Sequence, residues 1–365
     1  MKLNCALLAV VLVAGLPLCA QEAEATDTPR TGVFETRFGE RSPHSQPDAM
    51  ARVTRWDIQE LPAYDLADHT FQLAVPDGYD GDEPYGLLVF IHPNSEVSLD
   101  RFYARTIRGV LAEHKLIWVS YSGGGNPVMP NIRLGLALDA VHNVKQQYEV
   151  DTDRVYVSGL SGGGRMSCMA GIYYPGIFDG AVPIVGTLYF RDVKVPEDAE
   201  LRALIRGDPL PDNAVWPANL IQPSAGALRD MKREQRWVLL AGEKDFNMPQ
   251  MRAHFEQGFA RDEFEHAHYL EVPGMAHRYP QAEWFSRAIS LLDAPLRDQA
   301  ALPAVPPADE QTQRRAQGRL DAAMRVLERD EARGIRLLQR LRQEFPNTEA
   351  AHEAGRALEH LLGAE

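Results

Sequence analysis

The sequence predicts an α/β fold, a mostly parallel sheet covered by helices on both faces, followed by a small all-helical C-terminal segment. Three observations carry that expectation. Continuous apolar runs at 86–91, 116–121, 180–185 and 237–241 suit strands buried on both faces. Stretches with helical spacing lie between them, at 100–114, 132–148 and 162–174, and this alternation implies parallel pairing through right-handed crossovers. Beyond the Pro-rich run 303–307, the composition shifts to Ala, Arg, Glu and Leu, with apolar residues again at helical spacing.

At the N-terminus, Lys2, the apolar run 6–16 and the small Ala20 before polar Gln21 have the layout of a secretory signal, too short to span a membrane. Cleavage is expected after Ala20; acylation of Cys19 is the second choice, because Leu18 is bulky for a lipobox. Export then gives a secreted, periplasmic or extracellular protein. Lys2 is the sole charge in 1–20, so its removal takes the formal charge from −13 to −14. So acidic a chain disfavours nucleic acid and anionic membrane surfaces as partners. Of three cysteines only Cys168 lies outside the signal, so no internal disulfide is expected, and Cys168 reads as a small buried residue.

Residues 21–52 lack periodicity and read as a loose leader into a domain over 53–295. Strand 70–75 opens that domain. After the strand at 180–185 comes a Pro-rich, irregular insertion, 187–235, and then the rhythm resumes with strand 237–241, helix 249–259, strand 269–272 and helix 281–292. A linker over 296–308 leads to the tail, 309–365. Ala316, Leu320, Ala323, Met324 and Leu327 form one stripe; Ile335, Leu338, Leu341 and Phe345 a second; Ala354, Leu358, Leu361 and Leu362 a third. Three amphipathic helices on short turns resemble a tetratricopeptide-like segment, too short to stand as a solenoid. Its apolar face is expected to dock on the first domain, with self-association or a protein partner as alternatives.

The chemistry centres on Gly159-Leu160-Ser161-Gly162-Gly163, a G-x-S-x-G pattern between the strand-like run 154–158 and a helix start. A serine at the apex of so sharp a turn needs small residues two positions to either side, and Gly159 and Gly163 supply them. A serine hydroxyl also needs a base, and the base needs a third group to fix its tautomer. In a parallel sheet such groups gather beyond the carboxyl ends of strands. Asp245 follows strand 237–241 and His277 follows strand 269–272; of the other histidines only His92 and His142 compete with His277, and His142 falls on a helix face away from any strand end. Glu243 is the alternative acid. For an oxyanion, Gly162 offers one backbone donor; in the loop after 86–91, Pro93 has no N–H, which leaves Asn94 or Ser95, and Asn94 adds a side-chain amide. His92, Ser95, Tyr189 and Trp216 are candidate pocket residues. The glycine runs 123–125 and 162–164 lack the G-K-[ST] ending of a phosphate loop and read as turns, and the His, Asp and Glu residues show no metal-ligand spacing, so no catalytic metal is expected.

Together, the Ser161 turn, Asp245, His277 and the Ile91-His92 loop resemble the α/β-hydrolase fold over residues 71–292. Segments 71–79, 159–166 and 178–185 look most like the branch of polyhydroxybutyrate depolymerases and feruloyl esterases. That resemblance implies a Ser-His-Asp mechanism without metal or organic cofactor, acting on a small-molecule or polymeric ester. One departure is His92-Pro93, where the family usually has His-Gly. A peptidase or amidase using the same triad, and a non-catalytic scaffold whose tail binds a partner, are the alternatives.

Overall fold

The computed structural model describes residues 29–57, 61–96, 103–207, 210–301, 309–327 and most of 329–358. The expected signal, with Cys19 and Ala20, lies outside the described residues, as do most of the linker and Leu361 and Leu362. Among the described residues no helix is long and apolar enough to cross a membrane.

Eight strands form one sheet: β1 (Gly32–Thr36), β2 (Phe71–Val75), β3 (Tyr85–Ile91), β4 (Leu116–Tyr121), β5 (Val150–Leu160), β6 (Gly180–Ile184), β9 (Arg236–Gly242) and β10 (His266–Val272). Two short strands, β7 (Val193–Lys194) and β8 (Val215–Trp216), pair separately. The sheet order is β1-β2-β4-β3-β5-β6-β9-β10; β2 runs antiparallel to both neighbours and every other pair is parallel. The sheet is thus mainly parallel and covered by helices, the α/β class that the sequence predicts. Every residue of β3, β4, β6 and β9 is buried, as continuous apolar runs demand. Helices α1 (Pro130–Gln147) and α2 (Gly162–Tyr173) cover one face, and α4 (Ala282–Ala301) covers the other. Between β9 and α4, α3 (Met248–His254) runs on into a single π-helical stretch, Phe255–Ala260.

Two boundaries differ from expectation. Residues 32–52, expected within the loose leader 21–52, belong to the fold: β1 adds to the sheet edge, and Pro47–Thr54 is a helix. Polar anchoring holds this segment where a short sequence shows no periodicity. The buried Asp139 carboxylate of α1 accepts from Ser42 N (2.7 Å), Ser45 Oγ (2.5 Å) and Tyr64 Oη (2.5 Å). Burial raises the Asp139 pKa, and those hydrogen bonds oppose the rise. At the other end α4 runs through Pro295 to Ala301, so the linker starts later than 296.

The opposite, amino-terminal side of the sheet is fastened by a second buried carboxylate. Asp293 of α4 accepts from Arg154 Nε and a terminal guanidinium nitrogen (3.1 and 3.0 Å) and from Tyr156 Oη (2.7 Å). Arg236 donates to Tyr156 Oη (3.2 Å) and to the Leu292 carbonyl (3.1 Å), tying β9 into the same cluster. Burial alone would raise the Asp293 pKa, but the contacts from His114, Arg154 and Tyr156 win and hold it at about 2.

In the tail, α5 (Glu310–Leu327), α6 (Glu331–Glu344) and helical residues within 350–358 turn their stripes toward one another. Ala316, Leu320, Leu338, Leu341, Ala354 and Leu358 form a core of their own, while Met324 is exposed. The expectation that the stripes need an outside surface is corrected: three short helices bury them mutually.

Two outcomes are expected. Asp293→Asn lowers stability near pH 7 by about 3–5 kcal/mol, the size of a broken buried ion pair. Because the folded pKa lies below the ordinary one, the part of that difference carried by the ionised carboxylate, about 2–3 kcal/mol, is present above about pH 4 and is lost as pH falls toward 2, which chemical denaturation across pH measures. Gly163→Ala lowers stability by at least about 3 kcal/mol, because a Cβ there would overlap the Ile91 carbonyl oxygen, whereas Gly176→Ala, with nothing within 4 Å, leaves the melting temperature unchanged or slightly raised.

Candidate active site

Ser161 stands between β5 and α2 with φ 57° and ψ −115°, a conformation rare for a residue with a side chain. Close backbone packing enforces it. A Cβ on Gly159 would lie 2.5 Å from the Gly163 carbonyl oxygen and 2.6 Å from that of Ile91, and one on Gly186 would overlap the Ser161 carbonyl oxygen. Ser161 N donates to the Ile184 carbonyl at 2.8 Å, fastening the turn to the end of β6.

His277 follows β10, and its ring bridges the other two residues. Its Nδ1 lies 2.6 Å from Asp245 Oδ2 and its Nε2 2.9 Å from Ser161 Oγ. With Nδ1–H donating to the carboxylate, Nε2 is left to accept from the serine hydroxyl. Asp245 is fully buried, and its Oδ1 accepts from Asn247 N at 2.7 Å. The loops carrying acid and histidine are joined directly: Glu243 N donates to Val272 O (3.1 Å) and Lys244 N to Met275 O (2.9 Å). Glu243, the alternative acid, points elsewhere, its carboxylate accepting from Gly274 N at 2.6 Å. It braces the histidine loop instead of touching the ring.

On the oxyanion side, the loop after β3 is joined to the loop after β4. Ser95 accepts from Gly123 N at its carbonyl (2.7 Å) and from Gly125 N at its hydroxyl (3.2 Å), and Asn126 N donates to Pro93 O (2.7 Å). Ser95 is thereby committed to holding the loop. The Asn126 carboxamide sits so close to Gly162 that a Cβ there would overlap it. Sequence reasoning treated 123–126 only as a turn; no motif marks Asn126, whose place beside Gly162 arises from pairing between loops. Asn94, in the same loop as Ser95, is exposed.

A cleft of about 540 Å³ is lined by Phe246 and Asn247, which follow Asp245 in the chain, and by Arg165; Ser161, Asp245 and His277 themselves are not among its lining residues. Phe246 lines it and stacks on the His277 ring with centroids 4.4 Å apart; Arg165, one helical turn after Ser161, lines it from α2. Leu188, Ile205, Arg206, Trp216 and Asn219 of the 187–235 insertion complete the wall. Trp216 is among the lining residues, and Tyr189 and His92 are not. Tyr189 is turned into the core, its hydroxyl donating to Asp262 at 2.6 Å, and Leu188 takes the wall position. His92 is buried against Phe90, with Nδ1 3.0 Å from the Tyr279 hydroxyl, and burial holds its pKa down at about 4, so it stays neutral. Behind the cleft, burial, aided by the positive charge of Arg165, holds His254 at about 3. Among the described residues no group of three or more His, Cys, Asp or Glu could hold a metal ion.

No family model matches the chain. A stretch of 49 residues is 45% identical to part of poly(3-hydroxyalkanoate) depolymerase C from Paucimonas lemoignei, covering 13% of this chain and 12% of that protein, well short of two thirds of the relative's length. Among solved structures, similarity extends to an esterase of Rhizomucor miehei (16% identity, TM-score 0.46, 74% of this chain and 85% of that one). It also extends to S-formylglutathione hydrolase from Staphylococcus aureus (16%, 0.44, 73% and 98%) and to Est1E from Butyrivibrio proteoclasticus (15%, 0.42, 64% and 95%).

Cys168 lies on α2 away from this chemistry. It is fully buried, its sulfur 3.5 Å from Thr187 Oγ1, and burial pushes the thiol up to about 11. Iodoacetamide at pH 8 is therefore expected to leave Cys168 unmodified in the folded protein and to alkylate it in denaturant, as intact mass will show.

Proposed function

We propose that this protein is an exported serine hydrolase that cleaves carboxylic esters through an acyl-enzyme. The observation that carries the proposal is the single imidazole spanning Ser161 Oγ at 2.9 Å and the buried Asp245 carboxylate at 2.6 Å. Ser161 attacks the acyl carbon as its proton passes to His277 Nε2; the ester C–O bond then breaks and the same proton goes to the departing alkoxide. Water, deprotonated by His277, attacks the acyl-enzyme carbonyl, and the serine regains a proton as the acid leaves. Asp245 orients the ring and stabilises the imidazolium.

The developing oxyanion needs preorganised donors. Gly162 N follows the nucleophile at a helix start, where N–H groups have no intrahelical partner. Asn94 is the second donor in this reading, and the Asn126 carboxamide beside Gly162 is a further group able to face the same oxygen. The short match to a poly(3-hydroxyalkanoate) depolymerase is in keeping with ester chemistry. We read the chain as two units, with the tail from 309 onward a tetratricopeptide-like module for a partner or a second copy.

A fluorophosphonate probe is expected to label the protein once, with Ser161→Ala abolishing both the label and ester turnover, the latter by about 10⁶-fold. Circular dichroism should show the variant folded. Labelling that persists in Ser161→Ala would remove the assignment.

A further inference from the structure

We propose that the cleft beside Ser161 selects esters bearing a free carboxylate, gripped by Arg165 and Arg206; this rests on the reading of the site as a serine esterase. The lining residues include these two arginines and no aspartate or glutamate, in a chain with 51 acidic residues against 38 basic ones. Several arginines elsewhere pair with carboxylates, Arg108 with Asp77, Arg154 with Asp293, Arg191 with Asp262 and Arg252 with Glu271, and others such as Arg133, Arg202 and Arg236 are held by backbone carbonyls. Among the described residues, the two cleft arginines have no such partner. A terminal nitrogen of Arg165 reaches only Gln250 Oε1, at 3.5 Å, and Arg206 lies with its guanidinium carbon 4.0 Å from the centre of the Phe246 ring.

That stacking matters for recognition. A guanidinium laid on an aromatic face keeps its in-plane N–H groups unspent, and this fork matches a carboxylate. Phe246 touches both Arg206 and His277, so one ring separates the cation from the base. Arg165 lies four residues beyond Ser161, about 6 Å along the helix axis. Arg165 is thus one helical turn from Ser161 and Arg206 one ring from His277, so an anion held between them sits on the side of the cleft nearest the triad, and low-dielectric walls such as Trp216 and Phe246 strengthen the attraction.

The test compares charged and neutral esters as ratios of kcat/KM in the full chain. In one arm p-nitrophenyl hemisuccinate is set against p-nitrophenyl butyrate, with the carboxylate on the acyl side. In the other, 3-acetoxybutyrate is set against its ethyl ester, with the carboxylate on the alcohol side. The charged member is expected to be preferred in at least one arm, and that arm names the side. The double variant Arg165→Gln, Arg206→Gln should lower the ratio by at least about 10-fold, as for loss of charge-assisted hydrogen bonds, while Lys at both positions should retain part of it. High salt should weaken the preference. A ratio at or below one in both arms, or a ratio the double variant does not move, overturns the proposal. Failure of the esterase reading looks different: no ester is turned over and Ser161 takes no fluorophosphonate. In that event calorimetry with glutarate decides, since binding weakened at least 10-fold by the double variant supports the carboxylate site and absence of binding overturns it.

Discussion

The strained turn at Ser161 is the constraint on which the rest of the site depends. A residue with φ 57° and ψ −115° is held there only because its surroundings leave no alternative. Gly159 and Gly163 let the turn close onto the Ile91 carbonyl, and Gly186 lets the chain after β6 pass beside the Ser161 carbonyl. Val185, itself at φ 43°, stands at that crossing; its carbonyl accepts from Asn247 Nδ2 at 2.8 Å. Asn247 N in turn holds Asp245. The strain of one loop is thus shared with the loop that carries the acid, and serine and carboxylate are positioned by one connected set of backbone contacts.

The two ends of the sheet divide the work. At the carboxyl ends of the parallel strands lie the loops of Ser161, Asp245, His277 and Asn126, with the start of α2 directly after Ser161. At the amino ends, Asp293 gathers Arg154, Tyr156 and, through Tyr156, Arg236 into a buried cluster that ties strands to α4. Asp139 does the same for the N-terminal segment. Buried carboxylates of this kind need several donors to offset desolvation. Both have them, which is why segments as unlike as 42–45 and 282–301 are fixed to one scaffold.

Apolar matter follows the same economy of contact. The sheet's two faces each meet helices, and the tail closes on itself: small residues such as Ala316, Ala323 and Ala354 let three short helices approach, so their stripes are satisfied within the segment. What the tail then offers to its surroundings is a largely polar outer surface, with Met324 an exposed apolar residue on it.

By itself the sequence determined what short-range physics dictates. Continuous apolar runs could only be buried strands, amphipathic spacing could only be covering helices, and glycines around one serine signalled a turn that a side chain would block. Serine, acid and histidine each follow a parallel strand, β5, β9 and β10, and parallel topology sends those loops to one edge. Tertiary structure alone decided the rest, because the deciding contacts join residues far apart in the chain. Asp139 recruits Ser42 across 97 positions, so the leader's order left no local trace. The choice of Asp245 over Glu243 depended on which carboxylate the histidine loop met. Tyr189 turned inward because Asp262 waited for its hydroxyl, and Arg165, Arg206 and Phe246 came together only when the insertion folded back over α2.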